Sequence, residues 1–225
     1  MVIQQVVSPL FVRHYAKHKN EEALNELFAL YSKFKLFFII PIIAGVWMLS
    51  DKMDAVIYHG KYAAALPTLK ILVVSVMVQA FMRPLKNVFD VVERNELAVY
   101  AKIVIIYRVI ASIVLIKCLG IIGAAYAYGT SMLLIFLTQL FLAKKIVRIA
   151  YPKASFLKIF INSMVMAISI SVMDKLFYGK SIMVFIVMIL IGGTVYFAMS
   201  FFNRPFSKWE RDMINSGLGR ALWVF

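Results

Sequence analysis

Two stretches decide the fold: Leu119–Ala143, LGIIGAAYAYGTSMLLIFLTQLFLA, and Ser181–Asn203, SIMVFIVMILIGGTVYFAMSFFN. Neither contains a charge, and each exceeds the ~20 apolar residues that carry a helix across a hydrocarbon core of roughly 30 Å. Two further runs qualify once their lysines are allowed to snorkel: 36–50, preceded by Lys33 and Lys35, and 159–173, preceded by Lys153 and Lys158. The whole composition agrees. Hydrophobic residues make up 63% of the 225 and charged residues 16%, with a mean hydropathy of +0.85. So much apolar surface needs lipid as its solvent. Residues 1–20 lack the pattern of a secretory signal, so insertion is expected to be directed by the helices themselves.

Two weaker segments, 66–90 and 97–116, are interrupted by Lys70, Arg83 and Lys86 and by Lys102 and Arg108. Loop charge decides in their favour. With six crossings, the loops on one side hold 18 Lys/Arg and those on the other hold 5. Dropping one crossing destroys that alternation. The positive-inside rule then puts the rich side, with the C-terminus, in the cytoplasm. The expectation is an all-α integral membrane protein of the plasma (inner) membrane, a six-helix bundle with spans near 34–50, 66–90, 97–116, 121–143, 155–173 and 181–202. Residues 1–33 read as the end of a truncated helix plus a cytoplasmic amphipathic segment. Within it Leu24, Leu27, Phe28 and Tyr31 share one face. Residues 204–225 read as a cytoplasmic amphipathic helix, opened by a capping box of Ser207 and Glu210, whose apolar positions Met213, Ile214, Leu218 and Trp209 are expected on the membrane surface.

Local signals support the same plan. Pro67 suits a first helical turn. Trp47, Tyr58 and Tyr62 mark an outer interface. Ala125 and Gly129 form a small-residue pair suited to close helix contact.

The charges inside the spans are the candidate site. Ser75, Gln79, Arg83, Lys86 and Asp90 share one face of the second helix, and Arg94 continues the row, four residues from Asp90. An ionised group facing lipid at mid-depth costs about 3 kcal/mol. The row is therefore expected to face the interior or a water-filled cavity, although Arg83, Lys86 and Asp90 lie close enough to the cytoplasmic end to reach the interface. Pro84 removes one backbone bond and predicts a kink near Ala80. Arg108 sits near mid-depth with no sequence neighbour to pair with, on a face carrying Ala101, Val104, Ala111 and Ser112. A guanidinium in a cavity grips phosphate bidentately. Ser75, Gln79, Arg83, Asp90, Lys70 and Arg108 are the substrate-cavity candidates.

Other chemistries fare worse. The net charge of +14 lies in loops between apolar runs, not in a nucleic-acid-binding stripe. His14 and His18 fall on one side of the membrane and His59 on the other. Asp51 and Asp54 read as a solvated turn, and Cys118 is a lone thiol. No glycine-rich phosphate loop or metal-ligand spacing occurs, so no cofactor, metal or enzymatic activity is expected.

Several segments in order resemble polysaccharide flippases of the multidrug/oligosaccharidyl-lipid/polysaccharide superfamily, in their C-terminal half. Ser8-Pro9-Leu10-Phe11 with Tyr15-Ala16-Lys17 is similar to that family's helix end and basic loop. Residues 57–65, IYHGKYAAA, and 67–72, PTLKIL, are similar to its phenylalanine–glycine loop leading into a leucine–arginine–isoleucine–leucine helix, with His59 and Lys70 as departures. Residues 119–125, LGIIGAA, match the glycine-rich start of a later helix. The resemblance implies one lobe of a two-lobed flippase that moves polyprenyl-pyrophosphate-linked oligosaccharide, of the O-antigen or capsule kind, by alternating access. Its partners would be that lipid-linked substrate, membrane lipids, and a missing N-terminal lobe or a second copy. The rival readings are a membrane-embedded polysaccharide-processing enzyme, a drug or small-cation exporter of the same superfamily, and an inactive truncated product.

Overall fold

A computed structural model describes residues 21–92, 94, 96, 99, 103–146, 149–177, 181–218 and 224–225. The expected stub at residues 1–12 and its basic loop lie outside them, as do Ala101 and Lys102. Among the described residues seven α-helices run in sequence: α1 Glu21–Ile57, α2 Leu66–Val91, α3 Val104–Leu119, α4 Ile121–Ile146, α5 Lys153–Leu176, α6 Ile182–Asn203 and α7 Lys208–Leu218. No strand occurs among the described residues. Five of them (α1, α2, α4, α5 and α6) are long and apolar enough to cross a membrane. The described part of α3 is shorter, 16 residues, or about 24 Å. Its surface is nonetheless apolar on most sides: no side chain in it is buried, and Ile106 and Ile110 are 64% and 59% exposed. A helix of that composition is not stable facing water on most sides. The chain is a multi-pass, all-helical membrane protein.

The first helix differs from its sequence reading. The amphipathic segment and the first span, separated above at 33/34, form one 37-residue helix that passes Pro41 without a break. Leu24, Leu27, Phe28 and Tyr31 do share one face, and it is buried against Leu85, Val88 and Phe89 of α2. Further along, Leu36, Phe37 and Ile40 pack in a second cluster with Ala80 of α2, Ile159, Met166 and Ile170 of α5, and Phe185, Met188 and Tyr196 of α6. α1 is thus the hub. α2 and α4 pack together, α3 packs on α4, and the α5–α6 pair docks on α1 from the other side.

Polar contacts hold this second pair together. Asn162 of α5 donates to Ser200 Oγ of α6 at 3.1 Å, and Asn203 donates to Asn162 Oδ1 at 2.6 Å. The Tyr196 hydroxyl donates to the Phe37 carbonyl at 2.6 Å. In a medium without water, each of these groups has to find a protein partner.

The two ends of the bundle are closed differently. At the basic end, the Ser207–Glu210 capping box forms as expected: Glu210 N–H donates to Ser207 Oγ at 3.3 Å and Ser207 N–H to Glu210 Oε2 at 2.8 Å. Glu210 also receives Lys33 Nζ of α1, at 2.7 and 3.0 Å to its two oxygens, and this pair is buried. Met213 and Ile214 pack into the core clusters under the bundle. That corrects the expectation of a membrane-surface helix for these two positions, because they are packed against the bundle. The Leu218 side chain is outside the described set. Tyr151, in the α4–α5 connection, stacks edge-on against Phe28 with centroids 4.9 Å apart and donates to the Phe81 carbonyl at 3.4 Å. Burial pushes its phenol well above the usual range, so it stays a neutral donor.

At the opposite end, α1 runs on through residues expected to be loop. Asp51 and Asp54 are helical, and Asp54, 3% exposed, accepts from Tyr62 N–H at 2.9 Å. Asp54 is therefore a loop clamp and not part of a solvated turn. The chain then turns through His59 (φ 54) and Gly60 (φ 80). Trp47, Tyr58 and Tyr62 are all exposed here, as an interfacial belt requires. Lys52 pairs with Asp174 at 2.6 Å, joining α1 to α5. Cys118 is exposed at this same end. On the sidedness given by loop charge, a membrane-impermeant maleimide should label Cys118 on intact cells. Labelling seen only after the cytoplasmic face is opened would reverse the orientation.

Candidate functional site

Two glycine contacts shape the region where the charged candidates lie. Gly120 (φ 61) ends α3, and a Cβ built on Gly123 would stand 2.0 Å from the Leu115 carbonyl oxygen. The α3–α4 turn is therefore closed to any side chain at 123. Six residues on, a Cβ at Gly129 would stand 2.9 Å from Ser75 Oγ of α2. Ala125 is buried on the same face. The small-residue pair does bring two helices into close approach, and the helices are α2 and α4.

That crossing sets the site. Gln79, one turn beyond Ser75, donates through Nε2 to the Tyr128 hydroxyl, beside Gly129. The Arg108 guanidinium of α3 lies over the ring of the same tyrosine, 5.4 Å from its centroid. Three helices thus meet at Tyr128. Arg108 is half-buried and eleven residues from the end of α3 at Leu119, about 16 Å along the axis, which is half a hydrocarbon core. Among the described residues no carboxylate comes within 4.0 Å of it. A cation on an aromatic face gains about 1 kcal/mol, less than the cost of its depth.

The other candidates separate. Ser75 is buried and donates to the Ile71 carbonyl at 3.0 Å, so its role is at the crossing. Arg83, Lys86 and Asp90 are exposed along one line of α2 toward the basic end. Lys70 lies at the opposite end, bound to Asp51 of α1 at 2.7 Å. It is away from the Arg108 cluster and already has a counterion. The expected Asp90–Arg94 pair does not form, because α2 ends at Val91; Arg94 instead lies 3.7 Å from Glu96. α2 remains a single helix through Pro84. Tyr128 was not singled out from the sequence. Its only signal was its position beside Gly129. An apolar groove of about 520 Å³ lies elsewhere, between α1, α5 and α6, and none of the candidates lines it.

No protein-family model matches the chain, and no curated protein matches it either. Among solved structures, it is similar to the lipid II flippase MurJ in an inward closed conformation, with a TM-score of 0.72 and 24% sequence identity. The chain has a flippase-like fold. The likeness covers 88% of this chain and 42% of that one, so the chain spans less than half of the flippase's length.

Proposed function

We propose that this chain forms one lobe of a transporter that flips a lipid-linked, pyrophosphate-bearing oligosaccharide across the plasma membrane, by alternating access against further helices. Arg108, Gln79 and Arg83 line the route of the anionic headgroup, Tyr128 holds the first two in place, and the C-terminus is cytoplasmic. The observation that carries the reading is Arg108: a mid-depth guanidinium held by an aromatic ring, with no carboxylate beside it among the described residues. Such a group is stabilised when an anion arrives, and a pyrophosphate fits its bidentate fork. A small-cation exporter needs the opposite charge at this depth. The fold of a lipid II flippase supports transport over enzymatic processing, and the resemblance to polysaccharide flippases favours an oligosaccharide of the O-antigen or capsule kind.

The test uses a strain lacking its own flippase for a surface glycan. The chain alone should not restore the glycan, whereas the chain joined to about six additional upstream helices should. Rescue by the chain alone would overturn the half-transporter reading and point to a pair of copies. Failure of both forms, each present in the membrane, would overturn the substrate.

A further inference from the structure

The basic end of the α1–α2 contact holds two cations facing one another. The packing on either side fixes their register. Tyr31 of α1 sits in one cluster with Leu85, Val88 and Phe89 of α2, and Leu36 and Phe37 sit in the next with Ala80. The helices run antiparallel, so Lys35 comes opposite Arg83, between the clusters. Lys35 is half-buried with Nζ 5.6 Å from the Tyr31 ring centroid, and Arg83 is exposed within electrostatic reach of both Tyr31 and Lys35. Among the described residues neither cation has a carboxylate within 4.0 Å. Along the two helices the nearest acids are Glu26, nine residues before Lys35, and Asp90, seven after Arg83, each about 10 Å or more away.

We propose that Lys35 and Arg83 form a binding site for the phosphate of a lipid headgroup at the basic end of the lobe. Two facing cations repel until an anion bridges them. The pair also combines a bidentate fork with a flexible point charge, which suits a phosphate oxygen cluster. The surroundings select a lipid over free phosphate. From Arg83 toward mid-depth the same face of α2 presents Val76 and Leu72, both exposed, so a headgroup held at Arg83 has an apolar track for its chain. The site shares Arg83 with the proposed transport route but does not depend on it, since a bilayer phospholipid satisfies it as well as a lipid-linked cargo.

The experiment is native mass spectrometry of the purified chain with added phosphatidylglycerol, phosphatidylcholine or polyprenyl phosphate. Phosphatidylglycerol or polyprenyl phosphate should be retained above phosphatidylcholine, whose choline cancels the charge. The double variant Lys35→Gln/Arg83→Gln should lose that retention by more than about tenfold. Lys117→Gln/Lys175→Gln, with the same charge change at the other end, should keep it, as should Lys35→Arg. Preference for phosphatidylglycerol makes the ligand a bilayer lipid, and preference for polyprenyl phosphate makes it a cargo-type lipid. Equal retention by wild type and the Gln/Gln variant, with unchanged thermal unfolding, overturns the site and leaves the Arg108 reading untouched.

Discussion

Arg108→Ala, made in a version of the protein that exports glycan, is expected to abolish export while membrane abundance stays near the wild-type level. Among the described residues the side chain packs on the Tyr128 ring, a contact of about 1 kcal/mol, and removing an ion from mid-depth also relieves a solvation cost. Stability should therefore change little. Arg108→Lys keeps the charge and loses the fork, so partial export is expected. A hidden ion pair makes the opposite forecast: removal of one partner strands the other at a cost of about 3–5 kcal/mol, and the protein disappears from the membrane along with its activity. Quantifying surface glycan and membrane protein on the same cells separates the two. Normal export by Arg108→Ala would end the proposal for this residue.

Gly123→Ala should produce the largest loss of stability of any glycine substitution in the spans. The added carbon meets the Leu115 carbonyl oxygen at 2.0 Å and its carbon at 2.4 Å. Both belong to backbone, which no rotamer change can move aside. The α3–α4 hairpin has to open instead, at a cost of about 3 kcal/mol or more. Gly193→Ala is the matched control: it is also helical, with open space around it, and its effect should stay within about 0.5 kcal/mol. Thermal unfolding of both variants in detergent is the measurement. A Gly123→Ala protein as stable as the Gly193→Ala protein would mean that α3 does not fold back on α4, and the six-crossing topology proposed from loop charge would fall with it.

The uncharged runs made α4 and α6 plain from the sequence, because a stretch without charge has one stable setting in lipid. The interrupted segments became legible only through the alternation of loop charge, a property of the whole chain. The site was half legible. Arg108 and Gln79 announced themselves as polar groups where polarity is costly, but Tyr128, which joins them, is one aromatic residue in an apolar run. Its role depends on where Gly129 lets α2 cross. Partners distant in the chain left no local trace: Lys70 looked like a membrane charge until Asp51 was found beside it, and Glu210 looked like a cap residue only. The expected Asp90–Arg94 pair failed for a local reason, since the rule of four requires a helix that continues past Val91.

The Lys33–Glu210 pair joins residues 177 positions apart. A ribosome makes Glu210 only after helices α1 to α6 have been synthesised. Until then the lysine lacks the carboxylate that meets it in the folded chain. Closure of that end therefore waits for α7.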